Sequence, residues 1–266
     1  NPVQEYFQKL SKWNEGEDSE IIHLASCVTV RNPENWQTYL TKWLIAVVAN
    51  AMDDLFCRNH TCLVLTGEQG KFKTTFLDLL CPVELKAYLF TGTIDPQNKD
   101  TQTLIAEYLF INIDDQLKAL NKRDENELKN LITTPRVKYR RPYDTYIEEY
   151  PHLASFMASV NGNDFLTDPT GSRRFLPFEV EAIDIEAAKQ VDINKVYSEA
   201  WWYWESGYRY WFDDAEIAEL HRESEGFHVQ TVEYEMLLKG FEKPSPTEES
   251  YMTTSEVLNY LRVYTT

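Results

Sequence analysis

The feature that most constrains this chain is an apolar run that stops at a glycine. Residues 61–66, TCLVLT, form a short β-branched and apolar stretch, long enough for one buried strand. A glycine-bearing loop, GEQGKFKT, occupies 67–74, and KTTFLDLL from Lys73 onward has helical spacing. Strand, glycine loop and helix in that order are the setting of a phosphate-binding (Walker A) loop, G-x-x-x-x-G-K-[ST]. In such a loop backbone N–H groups and the helix N-terminus cradle phosphate oxygens. The candidate cradle spans Gly67, Glu68, Gln69, Gly70, Lys71, Phe72, Lys73, Thr74 and Thr75. Lys73 fits the slot that reaches the β- and γ-phosphates, and Thr74 the hydroxyl that ligates Mg2+. The slot before the lysine calls for glycine and holds Phe72. A positive φ there would cost phenylalanine about 1–3 kcal/mol. The expectation is therefore a negative φ, with the ring packed away from the phosphates. A chance turn ahead of a core helix is the competing account of the loop taken alone.

Three further apolar runs carry polar residues at an end. LIAEYLFINI at 104–113 reads as a second strand and is followed by Asp114 and Asp115. Asp114 is the candidate Mg2+ partner and Asp115 the candidate carboxylate that polarises an attacking water. A capping role for the aspartates, ahead of the helix-like LKAL, is the alternative. LASFMASV at 153–160 reads as a third strand ending at Asn161, a candidate sensor of the γ-phosphate or the water. The turn-forming NGND that starts there is the plainer account. RRFLPFEV at 173–180 suggests a fourth strand, opened by Arg173 and Arg174. Either arginine could reach across a subunit boundary as an arginine finger, or simply pair with a surface acid. Polar groups at the carboxyl ends of apolar strands are where an open α/β sheet places its ligand.

Residues 1–60 read as mostly helical, since Trp36, Leu40, Trp43, Leu44, Val47, Val48 and Met52 recur at helical spacing. Helix returns from about 184 to 225, where the aromatic face Trp201, Trp202, Trp204, Tyr208, Tyr210 and Trp211 reads as core packing rather than a ligand platform. EKPSPTEES at 242–250 is a polar, proline-bearing linker, and YMTTSEVLNYLR begins a small helical module with Thr254 or Ser255 as its cap. The net charge of −17 argues against a surface built for sequence-independent duplex binding. KNLITTPRVKYRRPY at 129–143 nevertheless holds five basic residues and no acid. Arg136, Lys138, Arg140 and Arg141, interleaved with tyrosines, suit a hairpin that tracks single-stranded nucleic acid. A solvated loop paired with acidic neighbours is the alternative. The four cysteines form no C-x-x-C pair, the scattered histidines offer no triad, and no apolar run approaches membrane-span length. A reduced, cytoplasmic protein is the expectation, and the opening NPVQ suggests a piece of something longer.

GEQGKFKTTF, FINIDD, the basic segment, MASVN and FLTDPTGSRRF, in that order, resemble the virulence-associated protein E family. The most specific stretch is NGNDFLTDPTGSRRF, where Asn161, Phe165, Leu166, Asp168, Gly171, Ser172, Arg173 and Arg174 fit the family pattern. The resemblance implies an α/β P-loop NTPase core, AAA+ and superfamily 3 helicase-like, with flanking helical segments. It maps Lys73 and Thr74 onto Walker A, Asp114 and Asp115 onto Walker B, and Asn161 onto sensor 1. It places the DNA-tracking hairpin over Arg136–Arg141. It also implies ATP and Mg2+ as ligands, a ring oligomer such as a hexamer, and single-stranded DNA or a replication fork as partner. A primase-like domain on the same chain or a partner is a further implication. The resulting division is a helical segment at 1–58, an ATPase core at 59–182, a helical segment at 183–241, and a linker with a possible winged-helix module at 242–266. The whole reads as a replication ATPase of a phage or mobile element, or as a nucleotide-gated scaffold poor in hydrolysis.

Overall fold

Three helices, α1 (Pro2–Lys9), α2 (Glu20–Ser26) and α3 (Trp36–Met52), precede the first long strand, with the short β1 (Val28–Val30) between the second and third. Then follow β2 (Cys62–Thr66), α4 (Lys73–Leu79), β3 (Leu89–Gly92), α5 (Lys99–Glu107), β4 (Phe110–Asp114) and α6 (Lys122–Thr133). A hairpin of β5 (Arg136–Tyr139) and β6 (Glu148–Pro151) leads to β7 (Ser155–Ser159) and β8 (Phe175–Ile183). Helices α7 (Ile185–Ala188), α8 (Ile193–Glu205) and α9 (Asp214–Ser224) come last in this unit. The computed structural model describes residues 1–140, 145–167, 172–229, 236–237, 240–241 and 252–263. It divides into two units, Asn1–His228 and Val229–Thr266.

The sheet has the order β1-β8-β2-β7-β4-β3. Strands β8, β2, β7, β4 and β3 run parallel, and β1 lies antiparallel on the β8 edge. Alternation along each strand feeds two cores, one per face. Leu63, Leu65, Met157, Leu176 and Phe178 join a core shared with α1, α2, α3, α4 and α8. Cys62, Val64, Ile111, Ile113, Phe156 and Ala158 join the other, with α5, α6 and the hairpin's Val137 and Tyr139. The chain is thus mixed α/β with a mostly parallel central sheet covered on both faces. The helical segments before and after the sheet share its first core, so residues 1–228 fold as one body.

Helix starts follow the caps. Ser19, Asn98, Asn121, Asp192 and Asp213 each accept from a free N–H of the first turn. Helix α4 is different: its N-cap is Phe72, which has no side-chain oxygen to offer. Helix α3 is buried almost all round, including Asn50, whose amide donates to the carbonyls of His152, Leu153 and Ala154.

Two local expectations are corrected. The stretch at 104–113 is not one strand. Leu104 to Glu107 form the last turn of α5, capped at its start by Asn98, and the strand begins at Phe110. A helix end running straight into a buried strand reads as one apolar run. The short strands β1 and β3 carry too few residues to show a period. In the second unit the described residues include a helix at Thr254–Val263, with Phe241 against Tyr260 at 5.0 Å. Its cap is Thr253, which exchanges bonds with Glu256, rather than Thr254 or Ser255. The linker at 242–250 lies outside the described residues, and no described helix is long and apolar enough to cross a membrane.

Candidate functional site

Strand order fixes where the site must be. After β2 the chain travels out to β3 on one side, whereas after β7 it crosses β2 to reach β8 on the other. The crevice beyond the carboxyl ends of β2 and β7 is therefore a topological switch point. Gly67 follows β2 and Gly162 lies just beyond β7, and their backbones exchange hydrogen bonds of 3.3 and 3.1 Å. Thr66 Oγ1 adds a bond to Asn163 Oδ1 at 3.0 Å. These ties hold the loop 67–74 against the segment that carries Asn161.

The polar side chains form one network. Buried Lys73 donates to the carbonyls of Gly67 at 3.0 Å and Glu68 at 2.7 Å, and to Asn161 Oδ1 at 3.2 Å. Asn161 in turn donates to Asp115, from its backbone N at 2.9 Å and from Nδ2 at 2.7 Å. Thr74 Oγ1 donates to Asp114 Oδ1 at 2.7 Å and lies 3.0 Å from Ser159 Oγ, which reaches the same carboxylate oxygen at 2.8 Å. Burial pushes the Lys73 ammonium below the usual lysine range, while Asp115 and then Asp114 oppose the shift. The cleft has a volume of about 410 Å³, and Gln69, Gly70, Lys71, Phe72 and Thr75 complete its lining. That is ample for a mononucleotide's phosphates. Gly70, at φ +83°, leaves open space where a Cβ would stand.

The expectation for Phe72 is overturned. Its φ is +59° and ψ +21°, the left-handed region, and its side chain is 53% exposed. The turn into α4 demands the glycine-like conformation that the motif's glycine would supply, so phenylalanine takes the strain. The ring is not packed away but stands open to solvent at the mouth of the cleft.

Arg173 and Arg174 do not join this cleft in the same chain. They immediately precede β8, whose Phe175 is level with Cys62 at the start of β2. The whole length of β2, roughly 17 Å, separates them from the loop. The hairpin expected over the basic segment is present, but Glu149 on β6 lies 3.1 Å from Arg136 and 3.6 Å from Lys138. Arg140 is exposed, and Arg141 lies outside the described residues, as do Asp168 and Gly171 of the NGND-to-arginine stretch. Lys129 is buried on α6 beside Glu125 at 2.6 Å, so it belongs to the core and not to the hairpin.

Sequence reading passed over Ser159 and Asn112. Both sit two residues before an identified polar group, Asn161 and Asp114, and so face the same side of their strands. Asn112 donates to Asp78 of α4 at 2.8 Å, which ties the helix to β4. Period-2 spacing back from the strand ends was the available signal.

A family model for the virulence-associated protein E-like domain matches residues 7–229. The chain belongs to this family. Two solved structures share the fold of this virulence-associated protein E-like domain. The apo C-terminal region of NrS-1 (305–718) matches with a TM-score of 0.52 at 13% identity, over 91% of this chain and 55% of that one. An A-form apo structure of the same region gives 0.50 at 16% identity, again over 91% and 55%. The chain spans about half the length of those structures, and at such identities the likeness is one of fold. No curated protein matches the sequence.

Proposed function

We propose that this virulence-associated protein E-like domain is a P-loop ATPase that binds ATP and Mg2+ in the Lys73 cleft and serves DNA replication of a phage or mobile element. The observation that carries the reading is the network itself. Lys73 and Thr74, Asp114 and Asp115, and Ser159 and Asn161 come from three separate segments and interlock at the switch point of the sheet.

The donor set fits magnesium: two hydroxyls and one carboxylate are hard oxygen ligands, and Mg2+ takes few protein ligands beside water and phosphate. Thr74 and Asp114 would hold the ion, which when bound neutralises charge on the phosphate oxygens. Lys73 would exchange its two carbonyl partners for phosphate oxygens. Asp115, oriented by two bonds from Asn161, accepts the proton of the attacking water. The water oxygen bonds to the γ-phosphorus as the β–γ bridging oxygen leaves with its electron pair. Arg173 and Arg174 serve the cleft of a neighbouring copy in a ring oligomer such as a hexamer. Single-stranded DNA runs against the hairpin at Arg136, Lys138, Arg140 and Arg141, its phosphates competing with Glu149 for the first two. A primase-like domain, on the same chain or a partner, fits this role.

The test is phosphate release from ATP at fixed salt, with and without single-stranded DNA, for wild type, Lys73→Ala, Asp115→Asn and Phe72→Gly. Mg2+-dependent turnover that DNA stimulates and Lys73→Ala abolishes supports the motor reading. One observation favours a second reading, a nucleotide-gated scaffold: the strained Phe72 occupies the slot next to the catalytic lysine. Tight ATP binding with no turnover, relieved in Phe72→Gly, would select it.

A further inference from the structure

A second cavity of about 410 Å³ opens at the other edge of the sheet, beside the amino ends of β2 and β8. Arg58, Arg173 and Arg174 supply its cationic side, and Tyr210, Trp211 and Phe212 its aromatic side. The wall is fixed from behind. Phe212 packs edge-on against Tyr39 at 5.0 Å, and the Trp211 carbonyl accepts from buried Lys42 at 3.3 Å. The Trp211 indole is nonetheless 59% exposed. Arg58 pairs with Asp53, but among the described residues neither Arg173 nor Arg174 meets a carboxylate. The chain has 43 acidic residues against 26 basic ones, so two adjacent arginines with no acid among the described residues are conspicuous. Half-buried Arg174 is lowered by burial and by Arg173 beside it.

The cleft at the carboxyl edge has the opposite character. Phe72 stands exposed there near the surface carboxylates of Glu68, Asp114 and Asp115, of which Glu68 lies 3.6 Å from Lys71 and the two aspartates accept bonds from Thr74 and Asn161. One edge thus offers an apolar ring among acids, and the other an aromatic cavity among arginines. A two-fold contact would set like on like, whereas a head-to-tail contact matches both edges at once and can close a ring.

We propose that Phe72 of one copy seats in the Trp211-rimmed cavity of the next copy, which brings Arg173 and Arg174 of the second over the Lys73 cleft of the first. This rests on the reading that the arginines act between copies, and it gives the glycine-to-phenylalanine change an assembly role. Phe72 is then a docking residue.

The test is thiol cross-linking with a short bismaleimide, with and without ATP and Mg2+, in the chain carrying both Lys71→Cys and Ile217→Cys, which flank the two halves of the contact and leave Phe72 and Trp211 in place. The four native cysteines are buried and do not compete. The two sites lie at opposite edges of one sheet, too far apart to join within a chain. The expected result is a ladder of covalent multimers from the double variant and monomer from each single variant. Phe72→Ala should weaken self-association at least about tenfold, as loss of an aromatic anchor does. A covalent dimer from Lys71→Cys alone would mean a two-fold contact and overturn the proposal. A second pair, Glu68→Cys with Arg173→Cys, separates the two layers of inference. If that pair forms a ladder and the first does not, the arginine reading stands and the Phe72 seat falls. If neither forms a ladder, both fall.

Discussion

Adding one methyl group at either loop glycine should separate the glycine that holds the fold from the glycine that lines the proposed phosphate cleft. At Gly67 φ is +119°, and a Cβ would lie 2.8 Å from the Val180 carbonyl oxygen. Val180 is strand backbone, in register with Val30, and cannot step aside. Gly67→Ala therefore incurs backbone strain of about 1–3 kcal/mol plus overpacking of about 1–3 kcal/mol. For a unit of this size each kcal/mol lowers the melting temperature by about 2–4 °C. The expected fall is roughly 5–20 °C, read by circular dichroism without ligand. At Gly70 φ is +83° but nothing lies within 4 Å of the added carbon. Gly70→Ala then pays only the left-handed strain, about 1–2 kcal/mol, and melts about 2–8 °C lower. Gly70 lines the cleft, and a methyl there would take space that the proposed phosphate needs, so ATP affinity should drop at least about tenfold, the equivalent of one misfitting contact. Equal melting shifts for the two variants, or unchanged ATP affinity in Gly70→Ala, would refute the reasoning.

Four further outcomes are expected. Lys73→Ala should bind ATP about 10- to 100-fold more weakly, by loss of charged hydrogen bonds, yet leave unliganded stability little changed, since burial already disfavours that ammonium; calorimetric titration and melting curves read both. Asp115→Asn should cut turnover by about 10²–10⁴, the range for a lost general base, with ATP affinity altered only a few-fold in the same titration. Burial holds His152 and His60 below the usual histidine range, more than their carbonyl contacts raise them, and Arg174, Arg58 and Arg173 lower His60 further. The unfolded chain then binds more protons just below about pH 6.5, so stability is full above that pH and falls as pH drops through the window; urea melts at stepped pH should show a slope that His152→Gln reduces. Mixing Lys73→Ala with Arg173→Ala protein should recover part of the ATPase activity that each lacks, because some interfaces in a mixed ring regain both an intact lysine and an intact arginine.

The order of the site was legible because each of its parts ends an apolar run. TCLVLT, FINI and MASV are buried strands, and a buried strand must surrender its polar residues at its ends. That rule located Gly67, Asp114, Asp115 and Asn161, and the sheet brings all four to one rim. It could not locate Ser159 or Asn112, which are polar groups inside the strands, bonded to Thr74 and Asp78 of α4 and, for Ser159, to Asp114 of β4. A partner from a distant helix leaves no mark on the strand's own pattern. The basic segment misled in part for the same reason. Glu149, which faces Arg136 and Lys138, lies on the other strand of the hairpin, so composition over 129–143 overstated the free charge. The boundary at 104–113 was hidden because Leu104, Ile105 and Ala106 at the end of α5 are apolar like β4, and the two meet almost without a loop.

The strain in this domain is also placed where the chemistry would be. Among the described residues, the two non-glycine positions with positive φ are Phe72 at +59° and Asp115 at +47°. Each costs on the order of 1–3 kcal/mol and persists only if its surroundings over-determine it. For Asp115 the cause is visible: its backbone N donates to the Ser159 carbonyl at 3.0 Å, and its carboxylate takes two bonds from Asn161. Those contacts turn the carboxylate toward Asn161 and Lys73 instead of leaving it to cap the following turn. This counts against the capping account of the aspartates, because a capping residue takes an extended backbone and accepts from the turn after it. Phe72 has no comparable set of bonds to hold it, only its place between the loop and α4. The start of α4 holds it instead: the Phe72 carbonyl accepts from the Phe76 N–H at 2.8 Å, so the helix that begins there carries the strain.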